Sequence, residues 1–247
     1  MRLRGLRKSP PRCYKRPVLA LLYDVHGNLP ALEAVVGDAR AAGADRWLLG
    51  GDYALFGGWP GETVERLRDL QPARWIRGNG ERWTADPAAA PADPVVQGAL
   101  AAAREALGTD VVGDLAALPA EHHIERTLAC HGSPPSDVRS FLPEPADDED
   151  ELLHGVEAPR VVFGHTHLPF ARTSAVRGIE LVNPGSVGMP FDEDPRAAYA
   201  LFHDGGRIEH RRVAYDHRSS AARIRERFTG DWTEVCAARI EQARMDV

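Results

Sequence analysis

Cysteine, lysine and long apolar runs are all scarce in this chain of 247 residues. The three cysteines, Cys13, Cys130 and Cys236, are odd in number, widely spaced and form no C-x-x-C pair. That pattern argues against a disulfide framework or a cysteine metal site and points to a reducing compartment. No apolar run reaches the roughly 18 residues that a membrane span requires. The run behind the basic start, Val18 to Tyr23, is six residues long and has no small-residue cleavage site after it, so it does not fit a secretory signal. The expected location is cytoplasmic, with no membrane partner. Lysine occurs only at positions 8 and 15, and every later cation is arginine.

What is present is enough for one globular domain: 43% of the residues are apolar and 27% charged, which excludes a disordered chain. The formal charge of -6 hides an asymmetry. Arg2, Arg4, Arg7, Lys8, Arg12, Lys15 and Arg16 face no acid in the first sixteen residues, so the body beyond them carries -13. A body this acidic is a poor general binder of nucleic acid, because phosphate attraction needs clustered positive charge. Three parts are expected: a disordered basic arm at 1–16, a main domain at 17–215, and a C-terminal helical extension at 216–247 packed on the same domain.

Apolar runs that fit buried strands recur at Val18 to Tyr23, Trp47 to Leu49, Trp75 to Ile76, Thr127 to Cys130, Val161 to Phe163 and Ile179 to Val182. Helical patterns separate several of them. Leu32, Val35, Val36 and Ala39 share a face, with Pro30 at the start and Gly43 past the end. Asp93-Pro94 opens a second face of Val96, Leu100, Ala103 and Leu107 that Gly108 closes, and Thr63 to Leu70 is a shorter helix. The alternation implies an α/β layered sheet. Asp204-Gly205-Gly206, between Ala198 to Phe202 and Ile208 to Val213, is a hairpin signal. One or two helices follow Asp216, with Asp231 and Glu234 as a capping box. Asp86 to Asp93 and Pro134 to Asp150 read as linkers, and the acid run from Asp147 to Glu151 as a solvated helix start.

The chemistry stands where the apolar runs end. The first ends in Asp24-Val25-His26, the second in Gly51-Asp52, the third in Gly78-Asn79, the fourth in His131 and the fifth in His165-Thr166-His167. In an open α/β sheet the carboxyl ends of strands face the ligand crevice, so five strands deliver seven ligand-capable side chains to one edge. Two Asp, one Asn and four His offer oxygen and imidazole nitrogen, a set suited to Mn, Fe, Zn, Co or Ni rather than Ca or soft copper. Seven side chains exceed the tetrahedral complement of one zinc. Two metals sharing one carboxylate fit the count, with Asp52 as the natural bridge. His122, His123, His154, His203, His210 and His217 belong to no such block and are expected on the surface or on strand faces.

These blocks, Asp24-Val25-His26-Gly27-Asn28, Gly51-Asp52, Gly78-Asn79, His131-Gly132 and Gly164-His165-Thr166-His167, followed by Asn183-Pro184-Gly185-Ser186, resemble those of the calcineurin-like metallophosphoesterase family. Asp52 to Glu62, His131-Gly132-Ser133-Pro134 and Asp194-Pro195-Arg196 are similar to its compact bacterial and archaeal phosphodiesterase branch. The resemblance covers about residues 17–215. It implies a four-layer αββα sandwich of two mixed β-sheets flanked by helices. It also implies two divalent transition-metal ions, with manganese first among Mn, Fe, Ni, Co and Zn. One would be held by Asp24, His26, Asp52 and His167, the other by Asp52, Asn79, His131 and His165, with Asp52, Asn79 and His131 counted as catalytic. The implied activity is hydrolysis of a small phosphate ester, a diester first, through a metal-bridging hydroxide and an in-line displacement.

Many members of that family carry His after the Asn of the third block, where it is thought to protonate the departing oxygen; here the position is Gly80. A general acid typically contributes about 10² to 10⁴ in rate, most of it for poor leaving groups, so phosphodiesters or activated esters are the expected substrates. Gly80 would also free space for a second substituent; the alternative is that it only permits a backbone turn with φ > 0. Asn28 is expected either to position phosphate or to cap the helix beginning near Pro30. Competing expectations are a phosphomonoesterase or protein phosphatase, a catalytically inactive scaffold of the same fold, and nucleic-acid docking through the basic arm; a homo-oligomer is left open. If the lost general acid sets the preference, Gly80→His raises activity on simple alkyl monoesters above that of the unsubstituted protein, measured as phosphate release, and no gain counts against it.

Overall fold

The computed structural model describes residues 17–247, so the basic arm expected at 1–16 lies outside the described residues. From Val18 the chain alternates strand and helix. β1 (Val18–Leu22) leads to α1 (Leu29–Ala41), β2 (Arg46–Leu49) to α2 (Pro60–Arg68), and β3 (Ala73–Trp75) to α3 (Asn79–Ala85) and a long α4 (Pro94–Ala116). β4 (Glu121–Ile124), β5 (Thr127–Cys130), a single helical turn α5 (Glu149–Leu152), β6 (Arg160–Val162), β7 (Phe170–Thr173) and β8 (Glu180–Asn183) come next. The hairpin of β9 (Ala197–His203) and β10 (Ile208–Val213) precedes α6 (His217–Arg227) and α7 (Trp232–Gln242).

Two mixed five-stranded sheets result, in the orders β10-β9-β1-β2-β3 and β4-β5-β6-β8-β7. β1, β2 and β3 run parallel in the first sheet, as do β5, β6 and β8 in the second. β1 and β5 are buried at every residue, which is why both read as continuous apolar runs rather than alternating ones. The sheets pack face to face through Leu21, Tyr23, Leu48 and Phe202 from the first and Ala129, Val162 and Val182 from the second. α1 and α2 cover the outer face of the first sheet with Leu32, Val35, Val64 and Leu67. On the second sheet the cover is Phe141 with Leu152 and Leu153. A fourth cluster joins α4, α6 and α7 through Leu100, Ala103, Ile224, Cys236 and Ile240.

Several expectations change in the structure. β4 and β7 escaped the sequence because both are edge strands with half-exposed, alternating residues, too little apolar content to mark a strand. Gly108 does break the helix, at φ 74, but helical backbone resumes beyond it to Ala116. Asp231 makes no capping bond; the cap is Asp216, whose side chain accepts from Ser219 N at the start of α6. Glu149 is not solvated. It is 1% exposed, and its carboxylate accepts from Arg172 Nη2 and Ser174 Oγ, which fastens α5 to β7. No helix among the described residues is long and apolar enough to cross a membrane.

Candidate metal centre

Each of the six parallel strands ends at the same edge, and the turns that leave them are unusual. Asp24, His26, Asp52, His165 and His167 all have positive φ, between 48° and 67°. They make up five of the nine non-glycine residues with left-handed backbone among the described residues. Such conformations cost on the order of 1–3 kcal/mol each and persist where the surroundings force them. Here the forcing is backbone pairing between the turns: Asp24 N donates to Gly51 O at 3.1 Å, His26 N to Asp52 O at 2.9 Å, and Gly164 N to His131 O at 2.7 Å. Gly51 (φ +100) is needed for the approach, since a Cβ there would stand 2.7 Å from both Gly78 N and His131 Nδ1.

The imidazoles are turned by backbone carbonyls. His26 Nδ1 lies 3.0 Å from Leu55 O, His131 Nδ1 2.9 Å from Gly50 O, and His167 Nδ1 2.6 Å from Met189 O. A carbonyl only accepts, so each Nδ1 carries the proton and each Nε2 presents a lone pair inward, the arrangement a metal ligand requires. His26 Nε2 and His167 Nε2 consequently face each other at 3.0 Å with no proton between them. Phe56 and Phe191 hold these rings from outside, Phe191 stacked on His167 at 4.4 Å and Phe56 tilted on His26 at 5.5 Å.

Two triads of potential ligand atoms form, Asp24 with His26 and His167, and Asp24 with Asp52 and His131, each with its atoms within 4.8 Å of one another. The carboxylate common to the two triads is Asp24, whereas the resemblance assigned the shared role to Asp52. Asp52 nonetheless lies 3.9 Å from His26 Nε2 and 3.4 Å from His131 Nε2, between the two groups. One terminal atom of the Asn79 amide sits 2.9 Å from both His131 Nε2 and His165 Nδ1. His165 belongs to neither triad, but its backbone N donates to Asp24 Oδ2 at 3.1 Å and its ring meets that of His131 edge-on. All seven expected side chains are therefore in one cluster.

The cluster fits divalent cations. Asp24 is fully buried, and its Oδ1 has no hydrogen-bond partner, a costly state for a carboxylate unless a cation meets it. Burial pushes the Asp24 and Asp52 carboxyls well above the usual carboxylate range. It pushes His26 down to about 3, His165 to about 4 and His167 well below its ordinary value. Neutral imidazoles aimed at water-starved carboxylates are a donor set short of positive charge.

The residue that sequence reasoning left without a role is Glu81. It is 4% exposed, and its carboxylate accepts from Asp52 N (2.9 Å), Tyr53 N (2.8 Å) and Gly78 N (2.8 Å). One side chain thus fastens the turn after β2 to the turn after β3. Its position on the first turn of a helix, three residues after Gly78, was the available signal. Gly80 does not have positive φ; it lies in α3, donates N–H to Asp52 Oδ1 at 2.7 Å, and a Cβ there would stand 2.9 Å from that oxygen. The expected turn-forming alternative for Gly80 is set aside. Asn28 takes the capping role rather than a place beside phosphate. Its Oδ1 accepts from Ala31 N and Ser220 Oγ, and its Nδ2 donates to Gly188 O and Tyr215 OH, which uses the whole amide. The other six histidines stand apart from the cluster: His122 and His210 bond backbone carbonyls, and His203 pairs with Glu209.

Two cavities of about 340 Å³ each adjoin the cluster. One reaches it at His131 and carries the charged side chains of Arg77, Arg82 and Asp137 beside Pro134 and Pro135. The other has His26, Asp52, Asn79, His165 and His167 in its floor and carbon-rich walls.

The calcineurin-like phosphoesterase superfamily domain matches residues 18–205 of this chain. An uncharacterised protein of Methanocaldococcus jannaschii is 24% identical over 237 residues, 88% of this chain and 96% of its own length. Among solved structures, a metallophosphoesterase from Sphaerobacter thermophilus is 26% identical with a TM-score of 0.79, covering 92% of this chain and 99% of that one. A hypothetical protein from Pyrococcus horikoshii has the same fold at 20% identity and a TM-score of 0.77, covering 89% and 97%.

Two outcomes follow from the geometry of the cluster. Adding Mn²⁺ to metal-stripped protein raises its melting temperature, by the equivalent of about 2.7 kcal/mol at 100 times the dissociation constant; an unchanged thermal transition would exclude binding. Glu81→Ala leaves three buried N–H groups unpaired at about 1–3 kcal/mol each, so urea unfolding should show a loss of at least about 3 kcal/mol. Calorimetric titration should show metal affinity down by about 10- to 100-fold.

Proposed function

This chain belongs to the calcineurin-like phosphoesterase superfamily, and from that premise we propose that it is a two-metal phosphodiesterase that cleaves phosphate diesters with acidic leaving groups. Asp24, His26, Asp52 and His167 would hold one cation, and Asp52, Asn79, His131 and His165 the other. Bound there, two divalent cations lower the pKa of water and offset the charge on phosphoryl oxygens. Manganese heads the candidates, and donors of carboxylate, amide and imidazole with no thiolate suit it along with Fe, Ni, Co and Zn.

The observation that carries the diester preference is the lack of a proton donor beside Asp52. Gly80 has only its N–H, which Asp52 Oδ1 accepts. The neighbouring Glu81 has a pKa pushed up by burial to about 7, which would suit a general acid, but both its oxygens are held by backbone N–H groups. A leaving group must therefore depart without help from this wall, which favours one that is stable as an anion. The two cavities on different sides of the cluster give each of a diester's two substituents a place. The complete set of ligand side chains speaks for an enzyme over an inactive scaffold. Cys130 and Cys236, both buried and unpaired, suit a reducing, cytoplasmic location.

The test is hydrolysis of bis-p-nitrophenyl phosphate and p-nitrophenyl phosphate by metal-stripped protein re-supplied with Mn²⁺, Ni²⁺, Co²⁺ or Zn²⁺, with Asp52→Asn as control. Diester cleavage that needs metal, exceeds monoester cleavage and falls by about 10²-fold or more in the control is expected. A monoester preference would move the assignment to a phosphomonoesterase, and silence with every metal would overturn the enzymatic reading.

A further inference from the structure

The two cavities beside the metal cluster differ in kind, and the difference bears on what the substrate carries. The one reached at His131 mixes arginine, serine and aspartate with Pro134, Pro135 and Val138, and Arg82 is already clamped there by Asp137 through two bonds of 2.6 Å. The one above His26, Asp52 and His165 is walled by Phe56, Trp83, Val96, Met189, Phe191 and Met245. Phe56 and Phe191 are committed to the ligand imidazoles. Trp83 is not: half-buried on α3, it has the Arg82 guanidinium 6.0 Å from its ring centroid and touches no ligand ring. An apolar wall this close to a metal centre is wasted on a small, hydrated alkyl group and suited to a flat ring, which can stack on or edge against an indole.

Among the described residues the same cavity has one arginine and no lysine in its lining. Arg239, on α7, lines it; its Nε donates to Met245 O at 3.1 Å. Among the described residues it pairs with no carboxylate, whereas Arg225 on the neighbouring α6 pairs with Glu234 and Glu241. The Asp93 carboxylate in the same wall is occupied in capping α4 through Val95 N and Val96 N. A guanidinium in no ion pair among the described residues, in the lining of a largely apolar slot, is a receptor for an anion.

We propose that one substituent of the substrate's phosphorus is a flat aromatic ring bearing a second negative charge, with the ring against Trp83 and the apolar wall and the charge on Arg239. The assignment rests on the phosphoesterase reading of the cluster, which anchors the phosphoryl group in the floor of the same cavity. It gives α7, outside the matched domain, a part in selecting substrate.

The test uses phosphonates, which are not hydrolysed, as ligands of Mn²⁺-loaded protein in calorimetry. Methylphosphonate, phenylphosphonate, 4-carboxyphenylphosphonate and its neutral 4-carbamoyl analogue separate ring from charge. Affinity is expected to rise about tenfold from methyl to phenyl and by a further three- to tenfold with the carboxylate but not the carbamoyl group. Trp83→Ala should bring phenyl to within about twofold of methyl. Arg239→Gln should erase the carboxylate gain, and Arg239→Lys should keep part of it. Equal binding of methyl and phenyl ligands by the unsubstituted protein overturns the proposal whatever the variants do, as does survival of both gains in the two variants. Protein that cleaves bis-p-nitrophenyl phosphate yet ignores the ring loses this inference alone. Protein with a ring preference but no turnover with any metal loses the phosphodiesterase reading instead.

Discussion

The structure depends on a shortage of positive charge at one buried point. Asp24 is wholly removed from water with one oxygen unpaired, while His26 and His167 present lone pairs to each other at 3.0 Å. Neither arrangement is stable by itself, since a buried carboxylate and two opposed acceptors each cost free energy. Cations of charge two resolve both at once. The hydrophobic layers on either side exist, in effect, to hold this unfavourable constellation in place until such ions arrive.

Rigidity comes from backbone more than from side-chain packing. The turns after β1, β2 and β5 bond to one another or to the turns of neighbouring strands, and five candidate ligand residues sit in left-handed conformations that only a fixed scaffold sustains. Glu81 extends the same logic across a longer gap by gathering the N–H groups of Asp52, Tyr53 and Gly78 onto one carboxylate. Carbonyls of Gly50, Leu55 and Met189 then fix the tautomer of three imidazoles. Loops placed this way can carry chemistry because the parallel strands beneath them are buried and paired.

Around that floor the walls are assembled from distant parts of the chain. Trp83 comes from α3, Phe191 from the segment after β8, and Arg239 from α7. α7 is held against α4 and α6 by Trp232, Cys236 and Ile240, so the C-terminal helices that complete the apolar cluster also close one side of the cleft. Under the proposed function the centre of the domain supplies reactivity, and α3, α7 and the segment after β8 supply selection.

The sequence by itself determined the two sheets' central strands, the hairpin and the seven side chains that gather in one cluster. Buried parallel strands read as unbroken apolar runs, and the residue after each run must face the crevice. It could not reveal β4 and β7, whose alternating, half-exposed residues bury too little to leave a pattern, nor that Glu149 in an acid run is buried against Arg172. Both roles open to Asn28 were legible, and only the bonds to Gly188, Tyr215 and Ser220 chose between them. The carbonyls that orient the imidazoles, the clamp at Glu81 and the meeting of Arg239 and Trp83 in the lining of one cavity belong wholly to the tertiary structure. Each joins residues whose separation in sequence carries no information about their separation in space, and periodicity encodes only which face of an element is buried, not what it meets there.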